Sequence, residues 1–443
     1  MMRYIALYLL ALMLCSASLV AQDAHYWTNQ YGTQSWLLGG AVVGSTTDLS
    51  STFYNPGSLA LYPDTSAVQS AVTLNWTRST IATTDGYFRL RSGNTEPLPT
   101  LVAINIPVEL FGSRSLVLSY LKRTDVSLDL DGTATSKTGP MTGYSVSGTI
   151  LRDLNDSWFG LTWSRTLDHV HAVGITTYVS TVSSEYSSIL TSATLTDGRA
   201  ETASLTEYEV YGTARVLAKL GYYYDGHPVS VGVTITTPAL HVLTTRGETR
   251  TSQYAQRGDT MSVLYGDRQQ NLSAEHRTPM SIALGATWRS EATSIYFTAE
   301  WFSSLDPYRP LSPAPFRSII PDTTFTYGEV INRYAIINVA VGMKTKISER
   351  TSFYVSLIRD GSFLRAAETG SNAIVNFDLY HGTIGWNFAI DPLEITVGGI
   401  VGGGFVDSAP PSEYTAYINL ATGSRVDRQL LRVGAILGIV AKL

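Results

Sequence analysis

Apolar and polar positions alternate along most of this chain with a period of two, the spacing that puts successive side chains on opposite faces of a strand. The last stretch shows it plainly. Leu431, Val433, Ala435, Leu437, Ile439, Ala441 and Leu443 share one face, and Arg432, Gly434, Ile436, Gly438, Val440 and Lys442 share the other. Tyr208, Val210, Gly212, Ala214, Val216, Ala218, Leu220 and Tyr222 oppose Glu207, Glu209, Thr213, Arg215 and Lys219 in the same way. Val229, Val231, Val233 and Ile235 oppose Ser230 and Thr234. Many of these runs are far longer than the roughly 5–6 residues of an ordinary soluble strand. They meet the about 9–11 residues that a tilted strand needs to cross a bilayer.

The pattern predicts strands at 67–80, 98–107, 115–131, 157–166, 171–190, 206–224 and 228–242. Further strands follow at 279–289, 293–303, 332–345, 350–360, 372–389, 394–406 and 428–442. The links between them alternate in length. Leu167–Val170, Asp225–His227, Ser290–Ala292, Lys346–Glu349 and Ile390–Leu393 are tight, whereas 191–205, 243–278, 304–331, 361–371 and 407–427 are long. A weaker alternating run at 142–152 falls where a long link is due and is assigned to a loop. Fourteen strands remain, an even number, as a barrel with both termini on one side requires. The fold class expected is therefore all-β: a transmembrane antiparallel β-barrel over 65–443. Tyr222, Tyr223, Tyr224, Trp288, Trp301 and Trp386 lie near the proposed strand ends, where amphipathic rings favour the membrane interface.

Composition agrees. Charged residues make up 15% of the 443 positions, against about 25% in a typical soluble protein, and there are 26 Tyr. A net charge of −5 gives no basic surface for nucleic acid. A single Cys excludes a disulfide framework. The N-terminus reads as an export signal over 1–21: Arg3, an apolar run from Ile5 to Leu14, then small residues ending at Ala21. Cys15 follows Leu14, a poor context for acylation. No later run is long enough for a transmembrane helix.

Chemical motifs are sparse. His169 and His171 could suggest a metal pair but have no third ligand nearby. Gly398-Gly399 and Gly402-Gly403-Gly404 precede no helix, so they read as strand glycines that allow a bend or close packing. Arg257-Gly258-Asp259 is a tripeptide that arises easily by chance. No nucleophile elbow or Ser/His/Asp arrangement is found. Neither an enzyme nor a cofactor is expected.

Residues 22–64 do not alternate. They carry Gly39-Gly40-Ala41, Asp48 and Asn55-Pro56-Gly57 among many small residues, the composition of a compact plug ahead of a barrel. These three elements resemble the N-terminal hatch of the FadL/TodX-type outer-membrane transporters of long-chain fatty acids and aromatic hydrocarbons. The family's usual Asn-Pro-Ala is here Asn-Pro-Gly, with Gly57 in third place. The resemblance implies passive transport of hydrophobic small molecules: capture in an apolar pocket, movement of the hatch, and lateral exit through the wall. It implies hatch or gating roles for Gly39, Gly40, Asp48, Asn55, Pro56 and Gly57. A carboxylate headgroup would want a lumenal cation, and Arg215 and Lys219 are the candidates for ligand binding. The expected partners are a hydrophobic ligand and the outer-membrane bilayer of a Gram-negative-type bacterium, with a monomeric chain and no nucleic acid. A component of a protein secretion system on the same fold and a general porin or adhesin are the alternatives.

Overall fold

The structure is a computed structural model. It describes residues 24–62, 67–83, 89–108, 110–111, 116–136, 144–196, 199–364, 376–409 and 426–442. The proposed signal segment, Cys15 and Leu443 lie outside the described residues. The strands begin with β1 (Ala67–Thr83), β2 (Arg89–Ile106), β3 (Leu116–Ser136), β4 (Tyr144–Thr166), β5 (His171–Thr196), β6 (Arg199–Tyr224) and β7 (Val229–Thr236). Next come β8 (Leu240–Arg257), β9 (Thr260–Gln270), β10 (Ser281–Arg289) and β11 (Thr293–Phe302). Four short pieces follow: β12 (Leu305–Tyr308), β13 (Phe316–Arg317), β14 (Thr324–Phe325) and β15 (Ile331–Arg333). The last are β16 (Ile336–Ser348), β17 (Thr351–Asp360), β18 (Leu379–Ile390), β19 (Leu393–Ala409) and β20 (Val426–Lys442).

Fourteen of these close a ring. β1 to β7 pair in sequence, β10, β11 and β16 to β20 continue, and β20 returns to β1 from Ala67↔Lys442 to Thr83↔Val426. Every ladder is antiparallel, and the fourteen expected strands each have their counterpart.

The alternation has a physical cause visible in the wall. Ser230, Gly232, Thr234 and Thr236 of β7 point inward, while Val229, Val231 and Ile235 are exposed outside. Around the ring Leu74, Leu118, Leu161, Leu284, Val341 and Leu437 continue that outer band, Leu437 at 55% exposure. Water would penalise so large an apolar belt; a bilayer covers it. Tyr222, Trp288, Trp301 and Trp386 stand on the outer face, whereas Tyr223 turns inward and is buried. The last strand presents Leu431, Val433 and Leu437 outward, as its sequence pattern requires.

The run at 142–152 is not a loop, contrary to expectation. Its described part, from Tyr144, is the first half of β4, which pairs with β3 from Ser136↔Tyr144 and with β5 from Ser145↔Ala193. Burial alternates strictly through it, with Ile150, Arg152, Leu154 and Asp156 inward. The stretch rises past the apolar belt, where outward positions have no lipid to face and hydropathy no longer tracks orientation. β5 and β6 likewise extend to Thr196 and Arg199, so the expected long link over 191–205 is mostly wall. The expected strand at 228–242 ends at Thr236, and β8 starts at Leu240. β8 leaves the ring, pairs with the upper half of β6 and carries β9 with it. Arg257-Gly258-Asp259 is the turn of that hairpin, with Gly258 at φ 55°. The wall is thus tall across β3–β6 and short across β7, β10 and β11.

Candidate functional site

Residues 24–62 lie within the ring and are almost wholly buried. They form two four-residue helical turns, Gln34–Leu37 and Ser51–Tyr54, and a 3-10 helix, Pro56–Leu61. So short a chain cannot be held by regular secondary structure, and its polar side chains take that role. Asp48, 1% exposed, is the hub. One carboxylate oxygen accepts from Thr33 N (3.0 Å), Thr33 Oγ1 (3.2 Å) and Ser35 N (3.0 Å). The other accepts from Ser35 Oγ (3.0 Å), Ser50 N (2.9 Å) and Ser50 Oγ (2.5 Å). Three backbone N–H groups that helix ladders would otherwise satisfy end on this one side chain.

Asn55 ties the segment to the wall. Its Oδ1 accepts from Gly57 N (3.1 Å) and caps the 3-10 helix that Pro56 begins. Its Nδ2 donates to Val43 O (2.8 Å) and to Tyr222 O of β6 (3.0 Å). Gly39 and Gly40 have φ of 62° and 75°, a left-handed backbone that L side chains resist. A Cβ on Gly57 would lie 2.8 Å from the Gly221 carbonyl oxygen, so glycine at this position lets the segment lie close against β6.

The wall answers with its own glycines. Gly232 and Gly285 leave room for the backbone at Val43 and Gly44, Gly174 for Pro56, and Gly342 for Leu38. Gly385 and Gly398 admit Leu37, which gives the first of the suspected strand-glycine pairs its packing role. Trp36, Leu37, Leu38, Leu49 and Phe53 then share one apolar cluster with Trp158, Tyr178, Tyr354 and Ile400 of the wall.

On the loop-end side of this segment is a cavity of about 40 Å3. Its apolar surface is aromatic: Tyr26 stacks on Phe302 at 4.3 Å, and Phe53 faces Trp158 at 6.1 Å. Three cations stand among the rings. Arg123 lies over Phe53 (5.4 Å), Arg333 over Phe363 (4.7 Å), and the Lys219 ammonium over Phe53 (4.1 Å). Glu300 and Asp156 are the anions of the lining, and Glu300 accepts from Trp27 Nε1 (2.7 Å) and Ser281 Oγ (2.6 Å). His25 at the cavity edge bonds the Phe377 carbonyl at 2.9 Å, and burial pushes its pKa down to about 4.

The two cations expected to bind ligand differ in their surroundings. Lys219 lines the cavity, and among the described residues no hydrogen bond or ion pair engages its ammonium. Arg215 is fully buried and bound to Asp156 (2.7 Å), Ser180 Oγ (2.7 Å) and Thr278 Oγ1 (2.6 Å). His171 is engaged by Tyr222 OH at 2.6 Å, outside the barrel lumen.

The wall beside the cavity has a discontinuity. β2 and β3 pair at Arg91↔Asp131 and again from Leu101↔Leu121 to Ile106↔Leu116. Between them, among the described residues, no ladder pair joins 92–100 to 122–130. Pro97 and Pro99 occupy the β2 side and offer no N–H. A bulge at Lys122/Thr124 marks the β3 side. Arg123 and Thr124 both border the unpaired stretch and line the cavity. Sequence pattern did not single out Arg123, Trp158 or Glu300. The two prolines in a strand were the available signal for the discontinuity.

Solved structures share this architecture. A Pseudomonas aeruginosa FadL homologue matches with a TM-score of 0.59 and 12% identity, covering 94% of this chain and 99% of that one. The P. putida toluene transporter TodX gives 0.60 at 11% identity over the same shares, 94% and 99%. The Ralstonia pickettii toluene transporter TbuX gives 0.58 at 11% identity, again over 94% and 99%. No family model and no curated protein matches the chain by sequence. At these identities the likeness is one of architecture, and the chain has the fold of the FadL-type barrels, closed at fourteen strands around an interior N-terminal segment.

Proposed function

We propose that this protein is an outer-membrane channel for hydrophobic small molecules, with residues 22–64 as its hatch. The solute enters from the loop end, settles against Tyr26, Phe53 and Trp158, and leaves sideways between β2 and β3. The observation that carries this reading is the shared border: Arg123 and Thr124 belong to the cavity lining and to the unpaired stretch of wall. An apolar solute gains about 0.8 kcal/mol per CH₂ removed from water, so such a lining captures what an open aqueous pore would not. Lateral exit returns it to lipid without crossing water. Lys219, over the Phe53 ring and without a hydrogen bond or ion pair among the described residues, suits a solute with an apolar body and an anionic end such as a carboxylate. The FadL homologue and the toluene transporters that share the fold agree with this class of cargo.

The test is uptake of a long-chain fatty acid and of toluene by proteoliposomes, with wild type and Thr124→Trp, which fills the border. Saturable uptake by wild type and its loss in the variant, both without ion conductance, are expected. Folded wild-type protein that neither binds nor moves either solute would refute the reading.

A further inference from the structure

Several exposed arginines of this protein near the loop end are ion-paired: Arg268 with Glu248 at 2.8 Å, Arg317 with Asp322 at 2.5 Å, and Arg359 with Asp378 at 2.5 Å. Arg78, Arg89 and Arg91 are not. All three are exposed on the outer face of β1 and β2 and line a single groove of about 260 Å3 with Thr80, Gln429 and Leu431. Among the described residues none of the three makes an ion pair or a side-chain hydrogen bond. The ladders fix their spacing. Arg78 lies opposite Gly93 and Leu431, Arg91 opposite Thr80, and Arg89 opposite Ala82. The acids on these ladders, Asp131 opposite Arg91 and Asp427 opposite Ala82, form no ion pair with the three guanidiniums among the described residues.

Their depth is set by what lies below. Leu74, Trp76, Val433 and Leu437 are exposed on the same outer face and belong to the apolar belt. Arg78 is two residues beyond Trp76, about 7 Å along the strand. The arginines therefore begin where acyl chains give way to headgroups and continue outward from there. Three like charges in one groove, on a chain of net charge −5, repel one another unless an anion joins them.

We propose that this groove holds the phosphomonoester headgroup of a lipid in the leaflet at the loop end, with its acyl chains laid against Trp76, Leu431 and Val433, and phosphorylated lipid A is the probe. The proposal rests on the outer-membrane placement argued above. Guanidinium forks match phosphate oxygens in bidentate geometry, and three of them suit a dianionic phosphomonoester better than the single charge of a phosphodiester.

The full-length protein is placed in phosphatidylcholine nanodiscs doped with diphosphorylated lipid A, its dephosphorylated form, or phosphatidylglycerol. Lipid retained after transfer to detergent is read by native mass spectrometry. Wild type should keep the phosphorylated glycolipid preferentially. At about fivefold per arginine, Arg89→Gln with Arg91→Gln should retain roughly 25-fold less, and the triple variant with Arg78→Gln about a hundredfold less. Equal retention by the variants, or equal retention of the dephosphorylated lipid or phosphatidylglycerol by wild type, would overturn the proposal. So would complete displacement by millimolar inorganic phosphate, which would make the ligand the free anion. The readout is lipid held rather than solute moved, so failure here and failure of the transport reading are told apart.

Discussion

Replacing Asp48 tests whether one side chain organises the N-terminal segment. In Asp48→Ala six hydrogen bonds disappear, three of them from the backbone N–H groups of Thr33, Ser35 and Ser50. The hydroxyls of Thr33, Ser35 and Ser50 can rotate to other acceptors, but the three buried N–H groups cannot. A buried donor left unsatisfied costs about 1–3 kcal/mol, so the Ala variant should lose roughly 3–9 kcal/mol of local stability. Asp48→Asn discriminates further. Its amide NH₂ fits best on the side of Ser50 N, where two of the three partners are hydroxyls able to accept. One N–H is then orphaned, and the cost falls to about 1–3 kcal/mol.

The loss should be local, because the closed ladder of the barrel does not pass through Asp48. Hydrogen exchange of the amides of Thr33, Ser35 and Ser50 is the assay. The Ala variant should exchange there at least a hundredfold faster, and the Asn variant about tenfold to a hundredfold faster. Both should keep wild-type protection in β17 and β18. Protection of those three amides within tenfold of wild type in Asp48→Ala would refute the hub, as would an Asn variant that exchanges faster than Ala.

Other expectations follow from the same contacts. Gly57→Ala restores the tripeptide usual in the resembled family but drives a methyl to 2.8 Å from the Gly221 carbonyl oxygen, so it should loosen the segment by about 1–3 kcal/mol, read as faster exchange at Gly57 and Ser58. His25 is held neutral by burial with a pKa of about 4, below its ordinary 6.5, so the unfolded or undocked state binds the proton more readily. Docking of the N-terminal segment should be fully stable above pH 6.5 and weaken by up to about 3 kcal/mol as pH falls towards 4, measured by exchange at Tyr26 and Trp27, with His25→Gln flattening the profile. Lys219→Met should reduce affinity for a carboxylated ligand about tenfold while sparing toluene, in equilibrium binding. Arg215→Ala should instead lower stability by about 3–5 kcal/mol, since Asp156 is left buried without its partner, and denaturant unfolding checks it.

The barrel was legible because lipid imposes a rule on every strand it touches. Val229 to Ile235 and Leu431 to Leu437 must alternate to put oil outside, and the tight turns at one end set the strand count. Above the belt that constraint lapses. The residues from Ile150 to Asp156 keep their alternation in burial while losing it in hydropathy, which is why β4 read as a loop followed by a strand. The motifs of the N-terminal segment were visible as types, Gly-Gly, Asp and Asn-Pro, without their geometry. That Arg215 is engaged and Lys219 open could not be read from two cations four positions apart on one face. The difference lies with Asp156, 59 residues away in sequence and 2.7 Å away in space.

The size of the cavity says what must move. An apolar cavity of about 150 Å3 admits benzene, and the space here is about 40 Å3. Passage of even one aromatic ring therefore needs a lining element to withdraw. The part of the segment from Thr33 to Asn55 is fixed by the Asp48 hub and seated in wall glycines. Residues 25–28 are held differently, by the Tyr26 ring packed between Phe302 and Phe363 and by polar contacts outside the hub: Trp27 N donates to the Asp360 carboxylate (3.0 Å), Trp27 Nε1 to Glu300 (2.7 Å), and Arg123 to Tyr26 O. An aromatic ligand can take the place of the Tyr26 ring against Phe302, and water or ligand that of the polar contacts, so this is the stretch expected to move. Trp27→Phe removes the bond to Glu300, a hydrogen bond to a charged group of about 1.5–3 kcal/mol, and should raise the population of the withdrawn state about tenfold to a hundredfold. If withdrawal limits transport, uptake of toluene should accelerate accordingly at unchanged barrel stability. Unchanged uptake in Trp27→Phe together with accelerated uptake in Asp48→Ala would place the motion in the hub instead.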